Sequence, residues 1–159
     1  MTSSTPRTNR GGIEIHFDSA PTNLAPIRAC VERFAHAVGF DDELAGRIAL
    51  AVDEAIANVI RHGYEGRTDG PVLLRLAPLE EGGLRVDLED EGNHFDPCRI
   101  DPRDLSEVRP GGLGLHIIRS TFARCAWRRR DEAGMHLSLE LPLHHTGPAL
   151  PLSTDARPR

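Results

Sequence analysis

Between Asp41 and Gly63 the chain carries Leu44, Ile48, Val52, Ala55, Ile56 and Val59 on one helical stripe. No other feature constrains the fold as much. Apolar residues recurring at three- and four-residue steps need a second layer to cover them. Glu54 and Asn58 lie off the stripe, about 40° apart on one face, with Ile56 on the opposite, buried side. Asparagine is a mediocre helix former, so local helix stability does not explain Asn58. The spacing predicts a helix that turns an apolar side to a core and an acid–amide line toward something polar.

The covering layer is legible on either side. Ile13-Glu-Ile15-His-Phe17 alternates as a strand, and Leu24, Ile27, Val31, Phe34, Ala35 and Val38 predict a first helix. Asn23 is its expected cap, and Gly39 its end. Pro71–Leu76 and Leu84–Leu88 predict neighbouring strands joined by Glu80-Glu-Gly-Gly83. Leu113–Phe122 returns to helix, and Arg124–Arg130 with Met135–Leu141 form a hairpin across Asp131-Glu-Ala-Gly134. These runs predict an α+β, two-layer sandwich with helices on one face of a mixed, mostly antiparallel sheet. Phe17, Phe34, Phe40, Phe122 and Trp127 are expected in its core. The expected organisation is a disordered tail (1–11), one domain (12–143) and a loose proline-rich tail (144–159), with a mobile loop at 96–111.

Nineteen Lys+Arg residues are all arginine. With no lysine, a P-loop, a Schiff base and a kinase of the lysine-on-strand type are excluded. The formal charge of −5 argues against a general nucleic-acid surface, and Arg128-Arg129-Arg130 reads as an exposed strand edge. Cys30, Cys98 and Cys125 are widely spaced, as reduced thiols are. No signal peptide or membrane span is apparent, which predicts a cytoplasmic protein.

Three segments carry chemistry. The first is Glu54-Ala-Ile-Ala-Asn58: an amide oxygen suits Mg²⁺, which binds few protein groups, and a carboxylate one turn earlier can take a proton from a nucleophile. The second is Asp90-Glu-Gly92, at the end of an alternating strand. Ionised Asp only accepts hydrogen bonds, which matches the amino group of adenine, and Gly92 lets a ring approach the backbone. In the third, Gly111-Gly112-Leu113-Gly114 opens a helix, where free N–H groups and the helix dipole favour a phosphate. Singly, the three also fit a solvated helix face, an ordinary turn and a hinge.

In this order and at these intervals the segments resemble the N, G1 and G2 boxes of the GHKL superfamily of ATPases and kinases. The closer resemblance is to the anti-sigma factor serine/threonine kinases of bacterial sporulation and general-stress pathways. It rests on Val52-Asp53-Glu54-Ala55-Ile-Ala-Asn58-Val-Ile-Arg-His62-Gly63-Tyr64, then Asp90-x-Gly92-x-x-Phe95-Asp96-Pro97, then Gly111-Gly112-Leu113-Gly114-Leu115, and spans roughly residues 13–142. The resemblance implies a Bergerat-type sandwich that binds ATP and Mg²⁺ under a lid at 96–111. It implies Asn58 as the Mg²⁺ ligand, Glu54 as the catalytic base, Asp90 as the reader of adenine, and Gly92, Gly112, Leu113 and Gly114 as shapers of the nucleotide site. It further implies phosphorylation of an anti-sigma factor antagonist on serine, sequestration of a sigma factor, frequent homodimers, and a partner contact at Arg28. One departure is Met135, where the family commonly has a Thr whose hydroxyl supports the adenine-binding Asp; a thioether cannot donate that bond. The alternatives are a nucleotide-loaded switch that binds its partner without phosphotransfer, and an interaction protein that has lost the nucleotide.

Overall fold

Alternation and helical spacing both reach the structure, a computed structural model that describes residues 11–95 and 112–145. Strand β1 (Ile13–Asp18) leads through a short 3₁₀ turn (Pro21–Asn23) into α1 (Leu24–Ala37) and α2 (Asp42–Asn58). A π-helical turn (Val59–Gly63) continues α2, followed by β2 (Pro71–Pro78) and β3 (Gly83–Asp90). Then come α3 (Gly112–Thr121), β4 (Arg124–Arg129) and β5 (Met135–Pro142). The expectations for the two tails up to residue 10 and beyond 145, for the lid at 96–111 and for Cys98 lie outside the described residues.

The strands form one open sheet in the order β1-β2-β3-β5-β4. All four described pairings are antiparallel, so the expected mixture reduces to a single type. Strand alternation sorts the side chains. Leu74, Leu76, Leu84, Val86, Leu137 and Leu139 face the helices, where Val31, Ile48, Val52, Ile56, Ile118 and Phe122 meet them. Each such fully buried aliphatic side chain contributes about 1.5–3 kcal/mol. The opposite face bears charged and polar residues in linked pairs: Glu14–Arg75–Glu89 runs across three strands, and Asp87 binds Arg85 of its own strand and His136 of β5. An antiparallel sheet can leave one face to water in this way.

Two helix starts differ. Asp41 caps α2 through its side chain, accepting from Leu44 N–H at 2.9 Å, and Asp42 and Glu43 add negative charge to the first turn. Asn23 does not cap α1 with its side chain. Its amide instead donates to the Asp18 carbonyl at 2.9 Å, because the 3₁₀ turn already leads the backbone into the helix. Of the five aromatics expected in the core, Phe40 and Phe122 are fully buried; Phe17, Phe34 and Trp127 are half-buried against it. Cys30 and Cys125 are free thiols, and burial pushes the Cys125 thiol up to about 11.

Candidate functional site

The site forms where the end of α2, the end of β3 and the start of α3 meet. Asn58 is the last residue of α2, and beyond it the helix widens into the π turn. Such turns carry one extra residue and recur at functional sites. Asn58 is only 5% exposed, and its Oδ1 is buried with no hydrogen-bond partner among the described residues. Leaving a buried acceptor unpaired costs about 1–3 kcal/mol, so a water or a ligand group has a place beside this oxygen. One turn earlier, the half-buried Glu54 carboxylate stands 3.8 Å from the Arg61 guanidinium.

Asp90 closes β3 opposite Val72 of β2 and is almost completely buried. Its Oδ1 accepts from Gly92 N–H at 2.9 Å, whereas Oδ2 is buried without a partner. Burial raises the Asp90 carboxyl above its ordinary value, although the Gly92 and Met135 N–H groups, Arg130 and His94 all pull the other way. Gly92 lies against the backbone of Gly63, and a Cβ on Gly63 would come within 3.4 Å of Asp90 Oδ1. Glycine is required at this crossing because the two main chains touch.

Gly114 is the third convergence. It is buried on the first turn of α3, and a Cβ there would sit 2.5 Å from Glu54 Oε2. Any larger residue would displace the carboxylate. Gly112 begins the helix, and Leu113 turns its side chain to solvent at 66% exposure. What Leu113 offers an anion is therefore its backbone, not its side chain. Gly111 lies outside the described residues.

Among these elements lies a narrow cavity lined by the polar Asn58 and Asp90 and by apolar residues that include Ala55, Leu88, Phe95, Ile118, Trp127 and Met135. Its cavity volume is only about 10 Å³, room for about one water and far below the roughly 300 Å³ at which ligand pockets begin. A purine base could enter only if the walls moved apart. Met135 is buried in the wall, and its thioether supplies no donor to Asp90. Trp127, expected in the core, also lines this cavity. His62 stacks obliquely on Phe95, with centroids 5.8 Å apart at 43°. Burial, with help from Arg61, lowers its pKa and favours the neutral ring.

The unpartnered oxygens of Asn58 and Asp90 and the close approach at Gly114 fit a bound group that brings a hydrogen-bond donor to Asp90 and a cation with anionic oxygens to Asn58. Among the described residues no three His, Cys, Asp or Glu converge on a metal. A cation at Asn58 would thus complete its shell from the ligand and water, as Mg²⁺ does.

Arg28 is not merely solvated. Its guanidinium donates to Asp53 Oδ2 at 2.6 Å, joining α1 to α2 one residue from Glu54, and this pairing raises the Arg28 pKa. Two functional candidates escaped the sequence reading. Tyr64 donates to the Pro71 carbonyl at 2.6 Å and accepts from Glu91 N–H at 2.8 Å. Arg130, assigned to an exposed edge, donates to the Asp90 carbonyl at 2.6 Å. Its neighbours Arg128 and Arg129 are exposed, as expected.

Residues 17–141 match the histidine kinase-like ATPase domain family. The chain is 31% identical over 114 residues to the serine-protein kinase RsbW of Listeria monocytogenes, covering 67% of this chain and 72% of the relative. It is 35% identical over 104 residues to the blue-light-activated histidine kinase 2 of Erythrobacter litoralis, covering 64% of this chain and 28% of that longer protein. The crystal structure of the RsbU and RsbW domains of a Mycobacterium tuberculosis protein shares the fold. Its TM-score is 0.61 at 18% identity, covering 88% of this chain and 34% of that one.

Proposed function

The chain belongs to the histidine kinase-like ATPase domain family, and we propose that it is an ATP-dependent serine/threonine protein kinase that acts as an anti-sigma regulatory factor. The observation that carries this reading is the meeting of Glu54 with Gly114 one helical turn from the unpaired oxygen of Asn58. It brings a carboxylate, a metal-binding amide and a glycine-opened helix to one point. The similarity to a serine-protein kinase supports the same assignment.

In this reading residues 12–143 form the catalytic unit. Mg-ATP supplies the phosphoryl group and offsets its charge. Asn58 Oδ1 holds the Mg²⁺, and Asp90 Oδ2 accepts from the adenine amino group. Gly92 lets the base lie close to the backbone, while Gly112, Leu113 and Gly114 present main-chain N–H groups to the phosphates. Glu54 would take the proton from the substrate hydroxyl as its oxygen attacks the γ-phosphorus, with ADP as the leaving group. Arg61 and the first turn of α3 hold that carboxylate in place. The substrate we assign is a serine of an anti-sigma factor antagonist, the second partner a sigma factor, with Arg28 contributing to partner contact. Such a protein works in the cytoplasm, commonly as a homodimer. Among the described residues no helix is long and apolar enough to cross a membrane.

The Glu54→Gln variant tests the reading. It keeps the shape of the side chain and removes its basicity, so Mg-ATP binding should persist while phosphotransfer falls by about 10²–10⁴-fold. Measurement of both on the purified variant with a serine-bearing antagonist is decisive. Undiminished transfer removes Glu54 from the mechanism. Binding without transfer even in the unaltered chain leaves the switch reading.

A further inference from the structure

The turn that carries Asp90 is held through its main chain to an unusual degree. The Asp90 carbonyl accepts from Arg130, and Glu91 N–H donates to the Tyr64 hydroxyl. Gly92 N–H donates to Asp90 Oδ1, and the Gly92 carbonyl accepts from Gly134 N–H at 2.6 Å. Asn93 N–H donates to the Gly63 carbonyl at 2.7 Å. Only two of these contacts use a side chain from elsewhere in the chain, those of Tyr64 and Arg130. They grip consecutive residues from different elements: Tyr64 follows the π turn, and Arg130 follows β4.

Tyr64 is built for that task. It is 5% exposed, and its ring covers Gly70 so closely that a Cβ there would collide with it. Its hydroxyl is fully used, donating to Pro71 and accepting from Glu91. Burial raises the phenol's pKa, which keeps the donated proton in place. The same residue thereby ties the end of α2, where Asn58 sits, to the strand end that carries Asp90.

A lone carboxylate oxygen distinguishes a 6-amino from a 6-oxo purine only if it stays at one point in the cavity. An acceptor meets a donor in the first case and another acceptor in the second. In this chain Met135 offers Asp90 only its main-chain N–H and no hydroxyl, so the oxygen's position depends in large part on the turn. We propose that Tyr64, assisted by Arg130, is a positioning residue that sets the site's selectivity for 6-amino over 6-oxo purine nucleotides. This rests on the nucleotide-binding reading above and adds to it the origin of base selectivity.

The experiment is calorimetric titration of the full-length protein with Mg-ATP and with Mg-ITP, for the unaltered chain, Tyr64→Phe and the reference Asn58→Ala. Tyr64→Phe removes only the hydroxyl. Its affinity for ATP should fall about tenfold while that for ITP stays within about twofold, collapsing the ratio between them. Amide exchange at Glu91 should accelerate in the same variant. A ratio in Tyr64→Phe equal to that of the unaltered chain overturns the inference, whether both affinities fall together or neither moves. Equal affinity of the unaltered chain for the two nucleotides overturns it as well. Should Tyr64→Phe fail to fold, Arg130→Met is read by its ATP-to-ITP ratio; it frees the Asp90 carbonyl and also removes a charge that lowers the Asp90 pKa. An unaltered chain that binds neither nucleotide defeats the nucleotide reading itself. Asn58-dependent ATP binding with an unmoved ratio defeats only the role of Tyr64.

Discussion

Asp87 and Asp90 both belong to β3, and the pleat turns them to opposite faces of the sheet. Asp87, on the open face, is saturated with partners. Arg85 donates to it at 2.8 and 3.3 Å, and His136 Nε2 lies 2.9 Å away. Burial alone would raise its carboxyl, yet His136 and Arg85 overcome that and hold it well below the usual carboxylate range. Asp90, among the apolar walls of the cavity, has one oxygen bonded to Gly92 and the other to nothing, and its carboxyl is raised. The contrast is what the proposed function requires: Asp87 is surrounded by donors, whereas Asp90 is left short of them at an energetic cost that a ligand's donor would offset.

The comparison breaks most visibly at Asp90. In Asp90→Asn the amide oxygen can keep the bond from Gly92, which turns the amide nitrogen, a donor, toward the place where adenine needs an acceptor. Affinity for Mg-ATP should fall by about 10- to 150-fold, the worth of a charge-assisted bond, as titration calorimetry would register. The apo protein should at the same time melt higher at neutral pH. A carboxyl whose folded pKa is raised gives stability below its unfolded value of 3.8 that is lost as pH rises through the folded one. An unchanged or lower melting temperature would mean that Asp90 is not strained in the free protein.

Asp87→Asn should do the reverse. Nucleotide affinity should hold, and stability should drop by about 1–3 kcal/mol, read from denaturant melts. Its depressed pKa gives stability present above the unfolded value of 3.8 and lost as pH falls through the folded one. The variant should therefore show a flatter acid limb. A loss of ATP binding in Asp87→Asn would erase the distinction between the two faces. The smallest effect sharpens the contrast instead: Met135→Thr gives Asp90 a hydroxyl neighbour. Net gains of about 0.5–1.5 kcal/mol per hydrogen bond correspond to roughly 2- to 12-fold tighter ATP binding. No gain would mean that the turn alone already fixes the carboxylate.

Much of this was legible in the chain itself, for a physical reason. Apolar alternation and helical stripes are local, and they foretold each strand and α-helix. The short motifs were legible because each function they suggest depends on backbone within a few residues: a helix turn for Glu54 and Asn58, a strand end for Asp90, a helix start for Gly114. Tyr64 and Arg130 were not legible, since their partners stand 27 and 40 residues away and depend on how strand ends meet. Arg28 looked like a surface charge for the same reason, its partner Asp53 being 25 residues distant. Asn23 misled because a 3₁₀ turn did the work expected of its side chain. Nothing in the composition of Val59–Gly63 announced a π turn.

That turn limits how the segment can change in length. Each helical residue rotates the chain by about 100°. Deleting one residue between Asn58 and Tyr64 would let α2 run on as ordinary helix, but it would swing Gly63 away from Gly92 and the phenol away from Glu91. Insertion of a residue would do the same in the other direction. Substitutions at Arg61 or His62 leave the main-chain path intact. The segment is thus a spacer of fixed count, closed to gain or loss of a residue.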